Sequence, residues 1–409
     1  MNSTSIDGKP DVKQAMAAAG LEWPAFVEPL LSVGSRLTAL LDDPHDAWLR
    51  QELYQFIFSQ IAAGYIGLLH ASAEHPDFWP SHHQVFNQGF PNPDDVYYMT
   101  PVDGAGLYRV SGFRGTARVV NFIISGGTLV PFGTGDLGQT FASRELDELK
   151  LEPGGAFEVL LSAVKPESWQ GDWWRLDPGA THLIVRQICY DPLTEVDARL
   201  AIERLDTPAS KPRPTAERIE ELLKQIPAWA EGYMTYYARR LRGLRELDLV
   251  NRVHVKGRND TGGIPNQQYV EGFFDIRADE ALILETDVPT CRYWNFQLSD
   301  LLHRSLGMLH HQSSINGHSA HLDADGRFRA VISLEDPGVA NWIDTAGYTK
   351  GMIHGRWKGC DCYPTPTITK VKLSIVRQRL PADTAIVTPA QREAAVRLRR
   401  TGMQLRRRW

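Results

Sequence analysis

Apolar residues change their spacing several times along this chain. From Asp11 to about Ala73 the period is helical. Trp48, Leu49, Leu53, Phe56, Ile57 and Ile61 recur three and four apart, which predicts one apolar helix face between Asp46 and Leu69, and Pro24 marks the start of an earlier helix. Residues 1–10 carry no such pattern and are expected to be disordered. From His75 onward Pro and Gly become frequent, and short β-type runs follow at 106–110, 116–125, 156–164 and 181–190. Residues 207–214 (Thr-Pro-Ala-Ser-Lys-Pro-Arg-Pro) have the composition of a linker. Thr215 then caps a helix carrying Ile219, Leu222, Leu223 and Ile226 on one face, Pro227 interrupts it, and a second helix runs to about Leu247. β-type runs resume from Val253 to Leu380. Thr388-Pro-Ala-Gln391 supplies an N-cap, a proline for the first helical position and a glutamine to close a capping box, so a basic helix ends the chain.

The β-type stretches contain a repeat. Arg118-Val-Val-Asn-Phe-Ile-Ile-Ser125 matches Arg292-Tyr-Trp-Asn-Phe-Gln-Leu-Ser299, and Gly155-Ala-Phe-Glu-Val-Leu-Leu-Ser162 matches Gly326-Arg-Phe-Arg-Ala-Val-Ile-Ser333. Asn92 falls on Asn266, Pro166 on Pro337, Trp174 on Trp342 and Arg186 on Arg356, all in one order and at a near-constant separation. The expected architecture is mainly β: two related antiparallel jelly-roll or β-sandwich units with helical additions. The expected boundaries are 1–75 for the N-terminal segment, 76–206 for the first unit, 207–247 for a helical linker, 248–385 for the second unit and 386–409 for the C-terminal helix. Strand and helix do not alternate regularly, which disfavours a Rossmann or TIM-barrel arrangement.

Arg292-Tyr-Trp-Asn-Phe-Gln-Leu, Gln312-Ser-Ser-Ile-Asn316, Asp325-Gly-Arg-Phe328 and above all Asp336-Pro-Gly-Val-Ala-Asn-Trp-Ile-Asp-Thr-Ala-Gly347 resemble a bacterial family of uncharacterised proteins. It is the family of the domain of unknown function "twelve-fourteen", often paired with a related N-terminal β domain. The resemblance runs from about Asn87 onward and implies a two-domain, jelly-roll-like β protein. It carries no residue roles and no mechanism.

Composition narrows the function classes. A chain of 409 residues with 43% hydrophobic and 23% charged residues buries a sizeable core, and its net charge of −5 gives no reason to expect nucleic acid. The start Met1 to Pro10 has no apolar signal core, so no export is expected. The run Phe56 to Leu69 is too short to span a bilayer, so no membrane insertion is expected either. Cys189, Cys291, Cys360 and Cys362 are too few for a disulfide framework, and the expectation is a soluble cytoplasmic protein with reduced thiols. The aromatic residues suit an apolar ligand pocket, a β-sandwich core or an interface in a homo-oligomer.

Candidate chemistry concentrates between Arg292 and Arg356. His303, His310, His311, His318 and His321 offer acid/base or metal-binding imidazoles, but form no His-x-His pair and no HExxH motif. Cys360-Asp-Cys362 could chelate with a histidine, or simply precede the turn at Pro364. Gly133 to Gly138 matches GxGxxG but lacks a βαβ context, so it reads as a glycine-rich loop, and no cofactor motif emerges elsewhere. Trp342 between Asn341 and Asp344 can offer an apolar wall with polar anchors, or serve packing and a turn. The arginines at 118, 292, 186 and 356 suit ion pairs within each unit, while Arg356 could also grip a carboxylate or sulfate.

The matched strands read as scaffold. The segment between them differs completely in the two units, and in the second it carries the histidines. This places the expected site there, with His311 and His318 as acid/base residues and Asn295, Asp300, Gln312, Ser314, Asn316, Asn341, Trp342, Asp344 and Arg356 contacting a small-molecule ligand. The leading expectation is a metal-independent lyase, isomerase or hydrolase acting on a small apolar oxygenated molecule (aromatic, terpenoid or steroid-like). The alternatives are a non-catalytic ligand-binding or assembly protein and, third, a metal-dependent enzyme using the histidines with Cys360 or Cys362.

Overall fold

The computed structural model describes residues 21–41, 43–127, 138–257 and 266–406. Two helices open it. Helix α1 (Trp23–Thr38) has a proline in its first turn, as expected of Pro24. Helix α2 (Ala47–Tyr65) starts at Asp46, whose carboxylate accepts the backbone N–H groups of Trp48 and Leu49, and a π-helical turn, Ile66–His70, follows it.

Nine strands come next: β1 (Trp79–His82), β2 (Asp95–Pro101), β3 (Tyr108–Phe113), β4 (Val119–Gly126), β5 (Gln139–Glu145), β6 (Ala156–Ser162), β7 (Asp172–Arg175), β8 (Ala180–Ile188) and β9 (Arg199–Arg204). They form a five-stranded sheet, β1-β2-β8-β4-β5, and a four-stranded sheet, β7-β6-β3-β9. Thr215 caps α3 (Ala216–Leu223), and the chain restarts as α4 (Ile226–Arg245) with Pro227 in its first turn.

The second set of strands is β10 (Arg252–Gly257), β11 (Gln267–Asp275), β12 (Glu280–Thr286), β13 (Cys291–Ser299), β14 (Ser314–Asn316), β15 (Phe328–Ser333), β16 (Trp342–Asp344), β17 (Lys350–Cys360) and β18 (Thr367–Lys372). Its sheets are β10-β11-β17-β13-β14 and β16-β15-β12-β18, the same two orders with every strand advanced by the same step. Pairing is antiparallel except for β6 with β7 and β15 with β16, which run parallel. The four matched sequence blocks lie on β4 and β13, β6 and β15, β7 and β16, and β8 and β17.

The fold is thus mainly β, two sandwich units with helical additions, and strand alternation explains how the units meet. On β4, Val120, Phe122 and Ile124 enter the first sandwich core. On β13, Trp294, Phe296 and Leu298 enter the second. The intervening residues, Asn121, Ile123 and Ser125 on one strand and Asn295, Gln297 and Ser299 on the other, leave those cores on the opposite face, yet they too are buried. The two five-stranded sheets turn these faces towards each other. Tyr293 donates to Asp94 at 2.7 Å and Asn92 donates to Tyr293 at 2.8 Å across the join. The matched arginines contact each other reciprocally: Arg118 Nε donates to the Arg292 carbonyl, and Arg292 Nη2 to the Arg118 carbonyl.

Helix α4 closes one side of this join. Trp229, Tyr233 and Tyr237, four apart, pack with Trp79, Phe90, Met99 and Met352. Its Ala230 and Met234 pack under α1 and α2. No helix among the described residues is long and apolar enough to cross a membrane.

Two expectations change. Cys291 and Cys360 stand opposite each other on β13 and β17 and are joined by a disulfide, so the four cysteines are not all free thiols, and Cys360 is not available with Cys362 as a thiol pair. The partners are 69 residues apart in sequence, and only strand register brings them together. The GxGxxG stretch lies outside the described residues except for Gly138, which has φ +76°.

The basic C-terminal helix α5 (Pro389–Leu405) begins with the expected Thr388–Gln391 capping box. Arg392, Arg399 and Arg406 are inserted, whereas Arg397 is exposed and pairs with Glu393 one turn away. Arg392 bonds Asp336 and Gln312 at 2.8 Å, Arg399 bonds Ser314 at 2.6 Å, and Arg406, just past the helix end, bonds Asp197 and the carbonyls of Asp94 and Gln187. The helix therefore ties both units together. Arg392→Ala is expected to cost about 2 kcal/mol, the loss of charged hydrogen bonds to buried acceptors. Urea denaturation at constant m-value, with limited proteolysis of the C-terminus, checks this.

Candidate functional site

Between the facing sheets lies a cavity of about 150 Å³. The first unit contributes His82 from β1, Tyr97 and Met99 from β2, Ile123 and Ser125 from β4, and His182, Ile184 and Arg186 from β8. The second contributes Tyr269 and Glu271 from β11 and His354 and Arg356 from β17, while Tyr233 and Tyr237 of α4 and the Gly89–Phe90 turn complete the wall. Gly89, at φ +70°, must be glycine here because a Cβ would stand 2.3 Å from the Tyr237 hydroxyl oxygen. Phe90, itself at φ +50°, is held in that conformation by an N–H bond to the His303 carbonyl and by its ring, 3.9 Å from that of His354.

Register places equivalent residues in equivalent rows. Tyr97, Arg186 and Asn121 are cross-strand partners on β2, β8 and β4, and Tyr269, Arg356 and Asn295 are the same on β11, β17 and β13. The chemistry of the two rows differs. Arg186 is paired with Asp95 at 2.8 Å and also reaches the Tyr97 hydroxyl at 3.2 Å. Burial works against the Arg186 charge, but Tyr97 and Asp95 outweigh it and hold its pKa well above the usual value. Arg356 instead donates to the amide oxygens of Gln297 (2.7 Å) and Asn295 (3.5 Å) and to the Phe90 carbonyl (3.1 Å).

The histidines of the wall are held neutral. Burial, with Arg186 and His83 nearby, lowers His82 to about 3, and burial lowers His182 to about 4. Burial, with Arg356 and Arg240 nearby, pushes His354 well below the ordinary histidine value. Ser299 Oγ is 3.0 Å from His354 Nε2. Burial raises Tyr97 to about 12, so it stays a phenol. Glu271 pairs with Arg240. The cavity thus offers neutral imidazoles, phenols and one carboxylate beside an apolar lining of Met99, Ile123 and Ile184, a set able to move protons on a small molecule.

The residues expected to form the site are not gathered in one place. Arg356 lines the cavity, and Asn295 lies beside it, donating to Asn92 at 2.9 Å. His311 is half-exposed, and its Nδ1 is 2.7 Å from Asp344 Oδ2. His318 is exposed, 3.9 Å from Asp191, at the edge of a separate pocket of about 250 Å³ under α5 that Asn316 also lines. Asp300 accepts the N–H groups of Leu302 and Arg304 and the Arg304 guanidinium at 2.6 Å. Gln312 donates to the carbonyls of Ala340 and Trp342, Ser314 holds Arg399, and Asn316 donates to the Tyr190 carbonyl. Asn341 bonds the carbonyls of His321 and Arg329, Trp342 donates to the Ser333 carbonyl at 3.1 Å, and Asp344 also accepts the Ala346 N–H.

Sequence reasoning named only Arg356 of the cavity wall as a ligand contact. His82, His182, Tyr97 and Tyr269 come from strands with no motif, and Tyr233 and Tyr237 read as a helix core face. Strand register shifts the sequence match of Asn92 with Asn266 by two residues and makes Gln267, two residues before Tyr269, the counterpart of Asp95, two residues before Tyr97. Among the described residues no group of three His, Cys, Asp or Glu side chains could hold a metal ion, which leaves the His/Cys metal reading without a ligand set there.

Fold and cavity together define a two-unit β-sandwich protein with a chamber at the join. The chain is 30% identical to an uncharacterised protein from Burkholderia cenocepacia of known crystal structure, over 87% of this chain and 97% of that one, with a TM-score of 0.80. The chain belongs to the family of that Burkholderia protein. A protein from Vibrio parahaemolyticus is more distant, 15% identical over 78% of this chain and 98% of that one at a TM-score of 0.46. Oxalate decarboxylase from Bacillus subtilis aligns over 70% of this chain and 73% of its own at 8% identity, and its TM-score of 0.14 carries no argument. No protein-family model and no curated protein matches the chain.

Proposed function

We propose that the protein is an enzyme acting on a small, largely apolar oxygenated molecule enclosed between the two units, by acid/base chemistry without a metal. The observation that supports this most is the chamber itself: buried neutral His182 and His354, the phenol of Tyr97 and the carboxylate of Glu271 stand around an apolar lining in one space. Its volume, about that of an engineered cavity that takes up benzene, suits a molecule of one ring or a short chain. His354, with Ser299 behind it, and Glu271, its cross-strand neighbour, are the proposed proton-moving residues.

Filling the chamber tests the reading. Ile184→Trp is expected to cost about 1–3 kcal/mol through overpacking and to abolish retention of any small molecule that native mass spectrometry finds on the wild-type chain. Unchanged retention in that variant would sink the proposal. Once turnover is measured, His354→Ala should remove it. If His311→Ala does so instead, the half-exposed His311 with its buried partner Asp344 is the acid/base centre.

An assembly reading has its own support. Trp23, Leu31, Trp48 and Phe58 of α1 and α2 are more than two-thirds exposed, an apolar face that suits a protein partner or a second copy. Light scattering of wild type beside Trp48→Glu separates this role from the enzymatic one.

A further inference from the structure

We infer that the ligand of the inter-unit cavity is a carboxylate, and that Arg356 is the residue that binds its charge. The inference rests on the proposal that this cavity is the functional site, and adds the chemistry of what enters it.

Arg186 is neutralised by Asp95, and Glu271 by Arg240. Arg356 is 4% exposed, and among the described residues no carboxylate lies within ion-pair distance of it. Its acceptors, Gln297, Asn295 and the Phe90 carbonyl, are all neutral, and its buried Nε has no partner among the described residues. An uncompensated guanidinium in an interior is costly by several kcal/mol and is retained only where something supplies the missing charge.

Comparison of the two units shows where the counterion has gone. Asp95 and Gln267 occupy the same place, each two residues before the tyrosine that faces the arginine of its own unit. The first unit keeps an acid there, and the second has an amide whose own Nε2 and Oε1 are buried without partners among the described residues. The second unit thus presents a fixed cation to the cavity where the first is internally neutral.

The rest of the wall selects among anions. Met99, Ile123 and Ile184 give the wall apolar surface that the body of an organic anion covers and that a bare anion such as phosphate leaves uncovered. A carboxylate on a ring or short alkyl body would set its charge at Arg356 and its body against these side chains.

The test uses the full chain and calorimetric titration with benzoate, cyclohexanecarboxylate and pentanoate, each beside its amide, together with inorganic phosphate. At least one acid is expected to bind about 30-fold more tightly than its amide, the difference that a charged hydrogen bond makes, and phosphate is expected not to compete. Gln267→Asp restores the counterion of the first unit. That variant should melt higher than wild type without ligand and should lose acid binding, whereas Arg356→Met should lose the acid-over-amide preference. Equal binding of acid and amide, or acid binding that survives Gln267→Asp, overturns the carboxylate inference but leaves the cavity proposal standing. Phosphate binding without the acids overturns the choice of carboxylate. If no probe binds and Ile184→Trp retains the same small molecules as wild type, the cavity proposal itself falls.

Discussion

Between pH 7.5 and pH 5 the protein is expected to lose on the order of 4 kcal/mol of stability or more, a large share of what holds a domain of ordinary stability folded. Three buried histidines and the partly buried His82 carry this. Burial lowers His82 to about 3 and His182 to about 4, and with neighbouring cations it takes His303 and His354 well below the usual value. Unfolded, each titrates near 6.5. The folded state binds no proton at these sites while the unfolded state does, so the stabilisation is complete above the unfolded pKa and is lost as pH falls towards the folded values. His82 and His182 each contribute about 2 kcal/mol at pH 5, and His303 and His354 add to the loss in the same direction. Asp94, whose pKa burial raises, works in the opposite direction and offsets part of the loss at the acid end. Urea midpoints at half-unit pH steps check this. A midpoint that stays level from pH 7.5 to pH 5 at constant m-value would contradict the picture of neutral, dry imidazoles at the join.

Asp95→Asn is expected to destabilise by about 3–5 kcal/mol, because it leaves Arg186 charged and unpaired in the interior. The pair is almost fully buried, and Arg186 Nε lies 2.9 Å from Asp95 Oδ2. The variant makes the first unit resemble the second at this row. If the contrast between the units is as described, a small carboxylate should recover part of the lost stability in Asp95→Asn, raising its melting temperature more than that of wild type. A loss below 1 kcal/mol would mean that water reaches Arg186, and the reasoning about charge at Arg356 would weaken with it.

How much of this was legible beforehand differs by level. Helix starts were readable because capping is local: Asp46, Thr215 and Thr388 accept N–H groups within three residues of themselves. The two-unit β architecture was readable because matched strands must repeat their core-facing residues, as Phe122 and Phe296 do. The disulfide was not readable, since Cys291 and Cys360 meet only through strand register. Nor was the fate of the polar insert in the second unit. Gln312 and Ser314 hold arginines of α5, and nothing local to them signals a helix some 80 residues away.

The sequence by itself thus determined the elements, their caps and the repeated scaffold, because those depend on spacing within a few residues or on similarity between segments. The tertiary structure alone decided the chamber. The faces of β4, β8, β11 and β17 that line it look from sequence like ordinary buried strand faces. Only when two sheets turn them inward together, beneath Tyr233 and Tyr237, does a run of unremarkable positions become a chamber in which Arg356 has no carboxylate partner among the described residues.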